Sequence, residues 1–587
     1  MTRDSLHHYS QFSVRFVMRQ RTIVRLWCGV GAMTAVMLAG CRDNPLDVKN
    51  TQQPSVTGVF SSPLTVETAV SKLFEQLYNG QLGSADDIMT QTITMSFESA
   101  SQLGNFGMGT RGAIPRSPID NTIANNVAAG NFRDFDYLSR NARLASTAVL
   151  ALNNFIAKGN NAPALGTAAR DARARAFAYF GLGYAMGYLA MTYDSAAIMT
   201  PQDQVDPATG NFVIPSLSIS TAVMDAALKD LDSAIAIAAT PAAAIPADWL
   251  AQASDMTPAN FTRLVRSYKA KFRAGLGRNP TTRAAADWSA IIADATNGIT
   301  ADFVIAVSQT VTGWSGAVQQ QMATSTTWSQ MTPFILGMAD TTGAYDAWLQ
   351  LALTARAPFL LRTPDKRFPS GETRAAQQAT VATPVQFSNP GGTSRAGTPT
   401  GSIVYFRNRP SGEDSPADPW GTWFYDNQRS WAIRAAGGIG PYVLFAVAEN
   451  DMLAAEGYLR TGNAAAAIPL INKYRTRAGL AAIPVTAIIT DQVPNSSALA
   501  KDCVPRVPQP PAYNTTACGT VFEAMKWEKR LETSMIGYAQ WYFDSRGWGD
   551  LTTGTPLEWP VPYQELFARG KASYTTSARA TVGTYGF

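Results

Sequence analysis

Three glutamates in a stretch predicted to form one helix are the side chains whose type and spacing come nearest to a catalytic set. They lie within residues 521–535, at Glu523, Glu528 and Glu532. Two carboxyl groups that flank a glycosidic bond can hydrolyse it, one as general acid and the other as nucleophile or base. Lysine and arginine side chains alternate with these glutamates, however, and that pattern is more typical of an ion-paired helix face. A surface glycoside hydrolase is therefore kept as an alternative function.

Chemistry that depends on histidine is excluded outside the N-terminal segment. The sequence has two histidines, His7 and His8. The rest of the chain therefore lacks the base of Ser-His-Asp and Cys-His catalysis and the imidazole ligands of zinc or iron. Neither a Walker-type phosphate loop nor a dinucleotide fingerprint is present. We predict no metal, no cofactor and no enzymatic activity.

A loop rich in aromatic side chains is the candidate ligand-binding site. Residues 420–431 read WGTWFYDNQRSW. Flat rings stack on sugar rings, and the interleaved polar side chains supply directional hydrogen bonds. The alternative is that the aromatic side chains anchor a long loop to the core. The predicted ligand-binding residues are Trp420, Trp423, Tyr425, Asp426, Asn427, Arg429 and Trp431.

The first 40 residues read as a bacterial export signal that ends at a lipidation site. A basic segment reaches Arg25, an apolar run covers residues 26–38, and the sequence Leu-Ala-Gly-Cys ends at Cys41. The Cys41 thiol would carry the diacylglycerol. An ordinary signal peptide that ends near a cysteine is the alternative, whereas a membrane-spanning anchor needs about 20 apolar residues, more than this run offers.

Composition outside the export signal is that of a globular, exported protein. The formal net charge of +5 includes five arginines and one aspartate within residues 1–40, and without them 43 basic residues face 42 acidic ones. Nucleic acid is therefore not an expected partner, because that would need a clustered basic surface. Cys503 and Cys518 lie in a Pro-rich loop, and in an oxidising compartment we expect them to form a disulfide, with two free thiols as the alternative.

Helical periodicity predicts the elements that must position these residues. Residues 300–439 are rich in Gly, Thr, Ser and Pro, and there the periodicity fades into long loops. Elsewhere apolar side chains recur at helical spacing. The predicted helices are residues 66–78, 135–157, 168–193, 220–238, 261–276, 283–297, 442–459 and 521–535.

A helical hairpin is predicted around residues 441–480. The turn is Thr461-Gly462-Asn463, where Gly462 suits a positive φ and Asn463 suits the cap of the next helix. Pro469 cannot donate a helical hydrogen bond, so we expect the second helix to begin later than Asn463.

This hairpin and the regions after it resemble the SusD/RagB family of outer-membrane nutrient-binding lipoproteins. The chain shows an Ala-Glu pair on an apolar helix, a Gly-Asn turn, an I-N-x-x-R-x-R-A-G-L run, a W-Y-F-D sequence and a closing E-W-P-V-P-Y-Q-E-L sequence. Their positions are residues 455–456, 462–463, 471–480, 541–544 and 558–566. Their order along the chain also fits the family pattern.

The resemblance implies a mostly α-helical fold, a tetratricopeptide-like stack of helical hairpins with long irregular loop insertions. For Asp365 and Arg367 it implies a structural turn. The implied organisation is a signal peptide (1–40), a tether (41–63), one helical domain (64–570) and a C-terminal tail (571–587). Within the domain it implies N-terminal helical pairs (64–299), a loop-rich ligand-binding insertion (300–440) and a C-terminal helical region (441–570).

The function that the resemblance implies is nutrient capture at the cell surface. The protein would be lipid-anchored in the outer membrane, facing the exterior. It would bind a glycan or oligosaccharide and deliver it to a SusC-like TonB-dependent transporter. A surface glycoside hydrolase and a structural surface lipoprotein without ligand are the alternatives.

Overall fold

A computed structural model describes residues 60–100, 104–125, 127–202, 213–321, 328, 330–380, 404–410, 423–498 and 501–587. The predicted signal peptide, Cys41 and most of the tether lie outside these residues, and so does Trp420. No helix among the described residues is long and apolar enough to cross a membrane.

The first half of the described chain is a set of packed helices. Several of these helices begin at a polar cap; for example, the Thr167 side chain accepts a hydrogen bond from the N–H of Arg170 at 3.2 Å. The helices are α1 (Pro63–Ser71), α2 (Leu73–Leu82), α3 (Ile88–Met95), α4 (Met108–Gly112), α5 (Ala128–Lys158), α6 (Ala168–Thr192), α7 (Ser220–Ala238) and α8 (Pro258–Gly275). The short strands β1 (Ser195–Ala197) and β2 (Leu217–Ile219) form an antiparallel pair between α6 and α7.

Helix α6 is the centre of this half, and it is buried along most of its length. Its glycines allow the neighbouring helices to come close: a Cβ at Gly187 would lie 2.4 Å from the Phe272 ring of α8. Tyr184 packs edge-on against Phe74 of α2 and Tyr268 of α8, with ring centroids 4.9 and 5.0 Å apart. An aromatic core therefore joins the N-terminal helices.

The predicted helix 66–78 is divided in two in the structure. The N–H of Lys72 bonds to the carbonyl of Ala69 at 3.3 Å, one residue closer than in an α-helix, and this tighter turn separates α1 from α2. The predicted helix 283–297 is divided as well, into α9 (Pro280–Ala284) and α10 (Trp288–Thr296). The Asp287 side chain accepts a hydrogen bond from the N–H of Ala290 and starts α10.

The prediction of a helix from residue 442 is wrong at its N-terminal end. Strand β6 (Gly440–Phe445) pairs antiparallel with β3 (Phe303–Val307), and Tyr442 lies opposite Ile305. The backbone hydrogen bonds of this apolar run are therefore made in a strand pair. The local sequence does not reveal the pair, because the partner strand lies more than 130 residues earlier. The helix that follows is α16 (Val447–Arg460).

The turn of the hairpin is as predicted. Gly462 has a φ of +80°, and the Asn463 side chain accepts from the N–H of Ala466 at 3.2 Å. The expected delay in the start of the second helix is wrong, because α17 (Ala464–Arg477) begins directly after its cap Asn463 and contains Pro469 in its interior. Buried Ile468 and Ile471 hold the helix in place although Pro469 contributes no hydrogen bond.

The C-terminal region closes the fold with α18 (Val521–Thr533), α19 (Gln540–Trp548) and α20 (Tyr563–Ala568). A β-ribbon precedes α18; it consists of β7 (Arg506–Pro508) and β8 (Thr516–Cys518), and Cys503 is disulfide-bonded to Cys518. Tyr585 is buried and donates a hydrogen bond to Glu523 at 2.6 Å, so the last residues pack on α18. Phe60–Phe587 form one compact unit.

The loop-rich region predicted for residues 300–439 contains short elements. They are α11 (Ala317–Gln321), α12 (Pro333–Leu336), α13 (Ala344–Gln350), α14 (Arg374–Thr380), α15 (Trp431–Ala435), β4 (Phe406–Asn408) and β5 (Tyr425–Asn427). Three 3₁₀ turns, one of them in the N-terminal half, complete the described elements: Ala247–Trp249, Gly337–Ala339 and Leu353–Ala355. The mostly α-helical fold with irregular insertions is thus confirmed.

Candidate functional site

Four chain segments meet in a hydrogen-bonded arrangement that we call the four-segment ladder: residues 99–100, 330–331, 405–409 and 423–427. Ala100 and Gln330 exchange backbone hydrogen bonds at 2.6 and 3.1 Å. The N–H of Met331 donates to the carbonyl of Tyr425 at 3.0 Å, and β5 pairs with β4.

Trp423 belongs to the interior of the ladder. Its side chain is 0% exposed, and its indole N–H donates to the carbonyl of Phe359 at 2.6 Å. Tyr425 is 1% exposed; its hydroxyl donates to Gln377 and accepts from the N–H of Leu361. The prediction that these two rings stack on ligand is therefore corrected. In the core, the Trp423 indole N–H and the Tyr425 hydroxyl both find hydrogen-bond partners, and neither ring is accessible to a ligand from solvent.

The polar side chains predicted to contact ligand also serve the scaffold. Asp426 is buried and accepts two hydrogen bonds from Arg407, at 3.1 and 2.6 Å. Burial raises the pKa of Asp426, although the Arg407 guanidinium opposes that shift. Asn427 donates to the Ser534 hydroxyl at 2.8 Å and accepts from the N–H of Arg429 at 2.9 Å. Asp426 and Asn427 thus tie the ladder together rather than face a ligand.

Arg429 holds the ladder against the carboxyl end of α18. Its Nη1 donates to the carbonyls of Leu531 and Glu532 at 3.1 and 2.9 Å, and its guanidinium carbon lies 4.2 Å from the centre of the Tyr405 ring. A cation at this end of a helix satisfies carbonyls that have no helical partner and complements the helix dipole. Arg429 is therefore a positioning residue, and its predicted contact with ligand is corrected as well.

Three aromatic side chains near the ladder remain partly exposed: Phe106, Trp328 and Trp431. Phe106 and Trp328 pack edge to face with ring centroids 5.5 Å apart. The Ser99 hydroxyl donates to the carbonyl of Trp328 at 3.4 Å, which places this pair beside the ladder. Of the predicted residues, Trp431 alone among those described keeps a partly exposed side chain. No pattern in the sequence indicates a role for Phe106, an isolated ring in a Gly-rich stretch.

A guanidinium and a ring also stack on the outer strand of the ladder. The Arg374 guanidinium carbon lies 4.4 Å from the centre of the partly exposed Phe424 ring. Arg374 donates to Asn408 at 3.1 Å and to the carbonyl of Arg409 at 2.9 Å, so its orientation is fixed by β4. The β4 side of the ladder therefore carries a partly exposed ring, Phe424, covered by a guanidinium of fixed orientation, whereas Phe106 and Trp328 lie at the opposite side, beside Ser99.

The buried carboxyl group of Glu98 lies next to the ladder. Glu98 is 2% exposed and accepts from the N–H of Met535 at 2.6 Å. Burial raises its pKa to about 8, although that hydrogen bond and the charge of Arg429 lower it. Glu98 is thus mostly protonated at neutral pH, and it links the chain just before Ala100 to the end of α18.

The glutamates considered for glycoside hydrolysis lie in a buried ionic network. Arg367 donates from a single nitrogen to Glu528 at 2.8 Å and to Glu532 at 3.1 Å, and it also pairs with Asp365. Glu532 accepts further hydrogen bonds from Tyr405 and Arg477. Both carboxylates are buried, so neither reaches a substrate from solvent. Asp365 and Arg367 form the structural turn that the resemblance implied.

Within the described ranges, no group of three or more His, Cys, Asp or Glu side chains is arranged to hold a metal ion. The candidate site in the described ranges therefore consists of aromatic rings, hydrogen-bond donors and fixed charges.

The described residues define a class of protein: a mostly α-helical fold with long, irregular insertions. Solved structures with a similar fold include two SusD-type proteins. A SusD superfamily protein from Parabacteroides distasonis matches with a TM-score of 0.51 and 12% identity over 88% of this chain and 98% of that one. A SusD-like protein from Bacteroides fragilis matches with a TM-score of 0.50 and 12% identity over 88% and 96%. The chain has the SusD-type fold, and the resemblance seen in the sequence is confirmed at that level.

The match is one of structure. No protein-family model matches the sequence, and no curated protein matches it. At 12% identity the likeness establishes the fold, and the role of the site has to be argued from this chain's own residues.

Proposed function

We propose that this protein is a cell-surface lipoprotein that binds a nutrient, with a glycan or oligosaccharide as the favoured ligand, at the edge of the four-segment ladder. The observation that carries the proposal is the set of partly exposed rings near the ladder, Phe106, Trp328 and Trp431, on a SusD-type fold. The fold alone permits many ligands. Partly exposed rings favour planar or ring-shaped polar ones.

The ladder supports this role because it is rigid where the ligand would rest. Trp423 and Asp426 are fully buried, and Arg429 ties the ladder to α18. A site whose supporting side chains are fixed loses little conformational freedom on binding. The predicted loop residues thus contribute to binding indirectly, by holding the exposed rings in place.

Delivery to a SusC-like TonB-dependent transporter and anchoring at the outer membrane through Cys41 are the remaining parts of the proposal. They are supported by the lipidation sequence and by the SusD-type fold. A β-barrel transporter encoded beside this protein's gene, and its co-purification with the protein from membranes in mild detergent, would support the partnership. Recovery of the lipoprotein without any barrel, from cells that produce one, would contradict it.

The test of ligand binding uses residues 42–587 as a soluble protein on a glycan array, followed by titration of the best glycan. We expect Trp431→Ala and Phe106→Ala each to weaken binding by about tenfold or more, since a stacked aromatic contact contributes about 1–3 kcal/mol. Their melting temperatures should stay close to that of the wild type, because both side chains are partly exposed.

Phe567→Ala is the matched control. Phe567 is an aromatic side chain 82% exposed on α20, and its removal should leave the affinity unchanged. Equal affinity for wild type, Trp431→Ala and Phe106→Ala would place the site elsewhere. Failure of any glycan, glycopeptide or peptide to bind would favour the structural lipoprotein instead.

A further inference from the structure

A cavity of about 550 Å³ lies between α6, α7 and the loop that follows β1. This volume is in the range of small-molecule sites. The loop contributes the apolar side chains Ile198, Met199 and Pro201, along with Thr200 and Gln202. The helices contribute Tyr179 from α6 and both Lys229 and Asp230 from α7. None of these residues belongs to the four-segment ladder.

Asp230 is the unusual group in this cavity. It is partly buried, and no hydrogen bond or ion pair joins its carboxyl group to another residue in the part of the chain that the structure describes. Burial alone raises the pKa of Asp230 to about 7. Lys229 precedes it directly, and consecutive residues on a helix point in different directions, so that lysine does not neutralise it. A carboxylate that is desolvated without a partner is costly to the free protein.

The Tyr179 phenol also lines the cavity. Burial raises the pKa of Tyr179, and the charge of Asp230 raises it further. The remaining charged groups near them are Arg175 on α6 and Asp225 on α7. The cavity lining itself carries two carboxylates, Asp225 and Asp230, and one ammonium group, Lys229. The lining is therefore net acidic, and it also contains apolar side chains.

We propose that this cavity binds a small organic cation, an ammonium group on an apolar body, with the ammonium on the Asp230 carboxylate and the apolar body against Met199 and Pro201. An ammonium group supplies both the charge and the hydrogen-bond donors that Asp230 lacks. The Tyr179 oxygen can accept a second hydrogen bond from the same group. A neutral polyol would supply donors but would leave the charge of the carboxylate uncompensated.

The proposal goes beyond nutrient binding at the ladder and does not depend on it. It also predicts a pH dependence. The cation binds the ionised carboxylate, so below about pH 7 Asp230 must lose a proton on binding. Affinity should therefore fall by about tenfold for each pH unit below 7 and should be level above it.

The experiment titrates benzylamine into residues 42–587 by calorimetry or ligand-observed NMR at pH 8, with benzyl alcohol as a neutral compound of the same shape. We expect benzylamine to bind at least tenfold more tightly than benzyl alcohol. Asp230→Asn should remove that preference, and Tyr179→Phe should weaken benzylamine binding by a smaller factor. Asp248→Asn, an exposed aspartate on the 3₁₀ turn Ala247–Trp249, is the matched control and should bind like the wild type.

Equal binding of benzyl alcohol and benzylamine would overturn the proposal, and so would full affinity in Asp230→Asn or affinity that does not change between pH 5.5 and 8. Tyr179→Phe and the pH series on the wild type keep the test decisive if Asp230→Asn does not fold. Glycan binding at the ladder should be unchanged in Asp230→Asn. If the cavity does not bind a cation, the proposal of glycan binding at the ladder is unaffected. If the ladder does not bind a glycan, the proposal of cation binding in the cavity is unaffected.

Discussion

The protonated carboxyl group of Glu98 gives a quantitative test of the buried chemistry beneath the ladder. Burial raises its pKa from 4.5 to about 8 in the folded protein. Between these two values the folded chain holds a proton that the unfolded chain has released. The free energy of unfolding therefore falls as pH rises, and the contribution is complete near pH 4.5 and lost above pH 8. At about 1.4 kcal/mol per pH unit, the total loss reaches about 5 kcal/mol.

Glu98→Gln removes this titration while keeping an oxygen that can accept from the N–H of Met535. The amide adds a constant offset to stability, since it does not ionise between pH 4 and 9. We therefore expect the variant to gain several kcal/mol relative to the wild type as pH rises from 5 to 8.5. The assay is denaturant unfolding of both proteins at several pH values, with the difference between their free energies plotted against pH.

Glu532→Gln supplies a control of opposite sign. Burial alone would raise the pKa of Glu532, but the guanidinium groups of Arg477 and Arg367 outweigh it and lower the value. Its contribution is therefore present above the unfolded pKa and is lost as pH falls, so this variant should lose stability relative to the wild type near neutral pH. A Glu98→Gln difference that stays flat from pH 5 to 8.5 would refute the reasoning and would mean that Glu98 is ionised in the fold.

Three further outcomes are expected. Trp423→Ala should destabilise the fold by about 3–5 kcal/mol in denaturant unfolding, because it removes a fully buried ring and its hydrogen bond, whereas Trp431→Ala should cost much less; similar losses for both would contradict the burial assignment. Cys41→Ala should fold but leave the membrane fraction of cells that lack a partner transporter, and retention there would count against a lipid anchor. Mass spectrometry without reductant should find Cys503 joined to Cys518, and reduction should lower the free energy of unfolding by about 3 kcal/mol; two free thiols would disprove the bond.

The local sequence predicts an element well where the apolar periodicity or the turn chemistry is strong. The helix at residues 220–238 has the same bounds in the prediction and in the structure, and the Gly462-Asn463 turn forms as its chemistry requires. Prediction failed at residues 440–445, where pairing with β3 converts an apolar helical pattern into a strand. Strand pairing over such a distance in sequence is a tertiary interaction, and local periodicity cannot report it.

The candidate site shows the same division. The loop 420–431 is rich in aromatic and hydrogen-bonding side chains. Residue type, however, does not distinguish a ring that stacks on a ligand from a ring that anchors the loop to the core. The structure separates them: Trp423 donates to the carbonyl of Phe359 inside the core, while Trp431 stays partly exposed. Phe106 joins the candidate site through its edge-to-face contact with Trp328, a contact between residues more than 200 positions apart.

By itself, the sequence determined the helical class of this protein, the hairpin turn, the absence of histidine chemistry outside the N-terminal segment and the SusD-type motifs, because each depends on residue type and short-range spacing. Only the tertiary structure decided which rings face solvent and where Glu528 and Glu532 find their arginines. It also placed Asp230 beside a cavity with no hydrogen-bond or ion-pair partner among the described residues. Burial and ion pairing depend on which distant segments meet, and the free energy that settles them is released only when those segments pack.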